Sequence, residues 1–134
     1  MVSYNEFILL KNHLKTQQSI QLKVRGHSML PFIKNQDILK VNYINNLELL
    51  KRFDIIVFFQ DGHYICHYFW RFNKYFNTLE KKFITRPLNP LRNVDKPSTT
   101  SNILGKVENF KIPIWFKVKI ILISLVLSNR DGYA

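Results

Sequence analysis

The chain has 134 residues, of which 46% are apolar and 14% aromatic, enough for one hydrophobic core and too few for two domains, and too apolar for a disordered chain. Twenty Lys and Arg against nine Asp and Glu give a net charge of +11, a field that draws anionic lipid surfaces, acidic peptides or nucleic acid without choosing among them. A single cysteine, Cys66, excludes a disulfide framework and a cysteine-based zinc site, and its ordinary use is as a small buried residue.

Ser3-Tyr4-Asn5-Glu6 has the form of a capping box, and Phe7, Leu10 and Leu14 recur on one helical face, so an amphipathic helix is expected up to about Lys15. Tyr4, Asn5, Glu6 and Lys11 interrupt any apolar run there, and no cleavable signal peptide is expected. Gln21 to Arg25 alternates as a short strand and Asp37 to Tyr43 as the next, with Asn45 and Asn46 marking a loop. Ile55 to Phe59 is an apolar, β-branched and aromatic run that Gln60-Asp61-Gly62 closes with a turn signal.

The return strand, Tyr64 to Phe72, then places Tyr64, Cys66, Tyr68, Trp70 and Phe72 on one face, and Ile65, His67, Phe69 and Arg71 on the other. Phe83 to Arg86 reads as a short strand, followed by an irregular loop through Pro87, Asn89, Pro90 and Pro97. Asn102 to Phe110 reads as a further strand with Gly105 at a bulge or a close approach. The apolar stretch Ile112 to Leu127 is broken by Lys117, Lys119 and Ser124. As a helix it is about 24 Å long, short of the roughly 30 Å hydrocarbon core, so a docked or interfacial segment is expected.

Arg25-Gly26-His27-Ser28-Met29-Leu30-Pro31, with Asp37 introducing the next strand, is where chemistry concentrates. A flexible glycine two before a serine, with Met and Pro after it, makes a tight turn that can hold a hydroxyl out beside free backbone N–H groups. An oxyanion needs such donors already in place. Ser between Gly and Pro is by itself most often a plain loop residue. The wider pattern, G-x-S-M-x-P, then Phe53-Asp54-Ile55-Ile56-Val57-Phe58, and Phe83 onward to Val107, resembles the signal peptidase I and LexA-type serine peptidases from roughly Lys23 to Val107.

That resemblance implies a mainly β, signal-peptidase-like fold with Ser28 as nucleophile. It also implies a base on the strand after the hairpin: lysine in one branch, histidine in the endoplasmic-reticulum, archaeal and sporulation-type branch. This chain has His67 there, which places the likeness in the Ser-His branch. The branch's acid lies in a loop of the form T-K-G-D-x-N followed by a later Asp. Here Pro87-Leu88 replaces the G-D pair and Asp95 keeps the later acid, so Asp95 is the expected orienting residue, and the missing acid at Leu88 points to a rebuilt loop or a weakened enzyme. His63 shares the strand parity of His67 and competes as base by alternation alone. His27 is expected to point away from the site, and Asp37 and Asp54 to serve as turn and strand-start residues.

The expected organisation is a helix over 1–20, a β core over 21–111 and an apolar segment over 112–134. A serine endopeptidase that cleaves a leader or signal segment is expected, without cofactor or metal. Its partners would be a peptide or preprotein and an anionic membrane surface; no helix-turn-helix, zinc finger or aromatic RNA-binding signature supports nucleic acid. Membrane-associated and cytoplasmic placements both remain open. The rival from another class is a catalytically impaired module that binds peptide or an anionic membrane surface. A self-cleaving repressor fragment would need a lysine base and an Ala-Gly or Cys-Gly bond before the serine, whereas Gly26 follows Arg25.

Overall fold

Local chemistry starts the first helix and stops it. In the computed structural model, which describes residues 1–73 and 81–131 with side chains to residue 126, Ser3 caps α1 (Tyr4–Gln17), its hydroxyl accepting from the Glu6 N–H while Glu6 reaches back to the Ser3 N–H. Gln18, at φ 69°, ends the helix in the left-handed region. The chain therefore enters β1 (Ser19–Lys23) two residues sooner than the alternation from Gln21 predicts.

The strands β2 (Ile38–Asn42), β3 (Ile55–Gln60), β4 (His63–Asn73), β5 (Lys82–Arg86), β6 (Ser98–Thr99) and β7 (Ile103–Val107) complete a seven-stranded antiparallel sheet in the order β1-β2-β7-β3-β4-β5-β6. The molecule is thus mainly β, with α1 and a second helix, α2 (Ile114–Asp131). Residues 132–134, the end of the expected apolar segment, lie outside the described residues.

The β3–β4 hairpin turns through Asp61 and Gly62 at φ 50° and 79°, the left-handed pair that the Asp-Gly dipeptide favours. The two faces of the sheet carry separate cores. Phe7, Leu14, Val41, Val57, Tyr68, Leu104, Phe116 and Ile120 pack on the helical side, and Ile56, Phe58, Phe69, Phe83 and Ile103 on the other.

Two expectations are corrected. Phe72 does not share the face of Tyr68. Tyr68 pairs with Arg86 and Phe69 with Thr85, but Arg71 pairs with Ile84, so one extra residue at Trp70 reverses the alternation. Phe72 then packs against the Phe69 ring at 4.9 Å between centroids. The strand expected over 102–110 stops at Val107, because the Asn109 side chain takes over the ladder: its Oδ1 accepts from the Lys40 N–H at 2.8 Å and its Nδ2 donates to the Ile38 carbonyl at 2.9 Å. Gly105 holds the expected close approach. A Cβ built there would lie 2.5 Å from the Asn42 carbonyl oxygen, opposite a register shift between Val57 and Phe58.

Candidate active site

Ser28 lies in the connection between β1 and β2, in a loop with several independent anchors. Gly26 opens it at φ 106°, a conformation that a side chain would strain, and its N–H donates to Asn35 Oδ1 at 3.0 Å. Met29 and Ile33 are buried in the core beneath the loop. The Ser28 carbonyl accepts two backbone N–H groups, from Leu88 and Asn89, each at 2.9 Å, while Asn89 Nδ2 donates to the His27 carbonyl at 3.3 Å. The Ser28 loop is thereby stitched to the segment that follows β5. His27 itself is exposed, in line with a side chain turned away.

His67 sits on β4 across from Ile56, its ring edge-on to Phe58. Its Nδ1 lies 2.5 Å from Asp95 Oδ2, and the same oxygen accepts the Thr85 hydroxyl at 2.6 Å. The Asp95 N–H also donates to the Thr85 carbonyl at 3.0 Å. An ionised carboxylate only accepts, so a neutral imidazole at this place carries its hydrogen on Nδ1 and keeps its lone pair on Nε2. That is the tautomer a general base requires. Thr85 is 1% exposed, which keeps water from competing for Asp95 on that side.

Ser28 and His67 line one cleft of about 320 Å³. Leu22 and Lys23 at the end of β1, with Val24 just beyond it, form one wall and Tyr64 to His67 of β4 the other. Lys23 and Arg25 stand exposed at its rim and make the entrance cationic. Cys66 is also in the wall, and burial pushes its thiol up to about 12, so it stays protonated and inert near neutral pH. No hydrogen bond joins Ser28 Oγ to His67 among the described residues; such contacts commonly tighten only as substrate binds.

The three residues singled out from sequence thus fall into one neighbourhood, with Asp95 behind His67 and Ser28 across the cleft. His63 is exposed at the hairpin mouth and is not among the residues that line the cleft. Asp37 accepts the Lys34 N–H at 2.7 Å and Asp54 the Lys51 N–H at 2.9 Å, turn roles that leave neither for the site. Thr85 and Asn89 escaped the sequence reading. Thr85 carries one weak signal, a hydroxyl beside Phe83 and Ile84 in the buried middle of β5, which must find an acceptor.

No family model matches the chain, and no curated protein matches it. Among the described residues there is no group of His, Cys, Asp and Glu able to hold a metal ion.

Proposed function

We propose that this protein is a serine endopeptidase of the signal-peptidase-like, Ser-His type, acting on a leader or signal segment of a peptide. The observation that carries the reading is the Thr85–Asp95–His67 chain, which fixes the imidazole in its basic tautomer at the cleft that Ser28 also lines. His67 Nε2 would take the Ser28 hydroxyl proton as Oγ attacks the peptide carbonyl, and backbone N–H groups of the Ser28 turn would hold the oxyanion. The imidazolium would then protonate the leaving amine, and a water would hydrolyse the acyl-enzyme.

The cleft walls support an extended peptide as the substrate class. β1 is an edge strand of the sheet, and its end borders the cleft, so an extended peptide can add beside it and present its bond to Ser28. The family resemblance adds small side chains next to the cut.

The test is intact-mass analysis after treatment with a serine-directed phosphonate, on wild type, Ser28→Ala and His67→Ala. Single labelling of wild type that vanishes in both variants supports the peptidase. Wild type left unlabelled beside a labelled control peptidase overturns it, in favour of a non-catalytic module that binds peptide or an anionic surface. Leu88, in place of the family's acid, is the feature that favours this second reading.

A further inference from the structure

Helix α2 covers the core with only one of its faces. Phe116 and Ile120 are buried, and one turn further on Ser124 Oγ accepts from Arg86 Nη1 at 2.6 Å. On the remaining surface Ile114, Trp115, Val118, Leu122, Leu125 and Val126 are 53 to 78% exposed. Ile114, Val118, Leu122 and Leu125 recur at helical spacing, so they form a continuous apolar stripe pointing away from the protein. Monomeric proteins rarely leave such a stripe uncovered.

The charge beside it selects the occupant. From Lys111 to Arg130 the chain has no Asp or Glu, and Lys111 and Lys119 are exposed next to the stripe. A second copy docking face to face would bring two lysine-bearing faces without Asp or Glu together, whereas anionic lipid headgroups would neutralise the lysines. Among the described residues no helix is long and apolar enough to cross a membrane. The arrangement is that of a helix lying in the interface plane, with aromatic and aliphatic side chains below and lysines reaching up to the headgroups.

We propose that the outer face of α2 docks the protein peripherally on an anionic lipid bilayer. The consequence for the cleft is geometric. Phe32, four residues after Ser28, packs edge-on against Trp115 and Phe116 at 6.1 and 5.0 Å between centroids. The Ser28 loop therefore rests on the docking helix, and a peptide held at the same surface meets the cleft without a search through bulk solvent. Docking itself needs no catalysis, so its failure and the failure of the peptidase reading are separable.

The experiment is co-sedimentation of the full chain with vesicles of phosphatidylcholine alone and of phosphatidylcholine with a quarter phosphatidylglycerol, at low and high salt. Binding is expected to the anionic vesicles, weakened by salt. It should fall about tenfold or more in Val118→Glu/Leu122→Glu, whose positions are exposed, so its melting temperature should match wild type. Bromine on the lipid acyl chains should quench tryptophan emission in wild type and not in Trp115→Phe. Absence of binding to anionic vesicles, equal binding by the double variant, or a wild-type dimer that the double variant breaks while vesicles stay unbound would overturn the proposal.

Discussion

The backbone carbonyl of Ser28 accepts the N–H of Leu88 at 2.9 Å, and the Leu88 side chain is 3% exposed within the helical-side core. The residue that stands where the resembling family carries an acid is here an apolar anchor for the Ser28 loop. Leu88→Asp, which restores the family acid, should lower stability by about 3 kcal/mol or more, because it removes a buried side chain and buries a carboxyl group. Leu88→Met should cost less than about 1.5 kcal/mol. Urea denaturation measures both, and an Asp variant as stable as wild type would contradict this role.

Asp95→Asn should leave the fold intact and cut the rate of phosphonate labelling by about a thousandfold or more, since an amide can favour the wrong imidazole tautomer. Thr85→Val should act more gently on labelling. It removes one of the two donors on Asp95 Oδ2 and should cost about 1.5 to 3 kcal/mol of stability, the range for a hydrogen bond to a charged group.

Alkaline pH should weaken the fold. Burial holds the Cys66 thiol and the Tyr68 phenol up to about 12, against ordinary values of 9.0 and 10.0, with the Arg86 guanidinium opposing the Tyr68 shift less strongly. Both groups are raised in the folded state, so their contribution is complete below the unfolded values and is lost as pH rises from about 9 towards 12. The urea midpoint should fall between pH 8 and pH 10.5, and the fall should be smaller in Cys66→Ala. Iodoacetamide at pH 8 should alkylate Cys66 in urea and leave the native protein unmodified.

Gly105→Ala should lower stability by about 1 to 3 kcal/mol, because the new methyl group would sit 2.5 Å from the Asn42 carbonyl oxygen and 2.7 Å from Val41 Cγ1. A strand backbone cannot swing aside as a long side chain can. Thermal melting reads this directly as a drop of several degrees.

The β3–β4 hairpin was legible because its signal is local: an apolar run, Asp-Gly, and a second run. The α1 cap was legible for the same reason. The reversal at Trp70 was not, since a strand of alternating aromatics reads equally well with and without an extra residue, and only the partner β5 reveals the slip. Ser28, His67 and Asp95 were named through the resemblance to the signal-peptidase-like pattern, but their supports could not be. Thr85 meets Asp95, and Leu88 meets Ser28, through pairings between distant segments that leave no periodic trace in either one. The early stop of β7 likewise depends on Asn109 reaching β2.

The position of β7 in the sheet also sets the order of events during synthesis. Its residues, 103–107, lie between β2 and β3 and are, among the described residues, the only sheet link between the β1–β2 pair, which bears the Ser28 loop, and the β3-to-β6 meander, which bears His67. A nascent chain can form each part early, yet it cannot close the sheet until the last strand has left the ribosome. The strand pair that leads into and out of the Ser28 loop and the strand that bears His67 therefore join in one sheet only once residues 103–107 are in place.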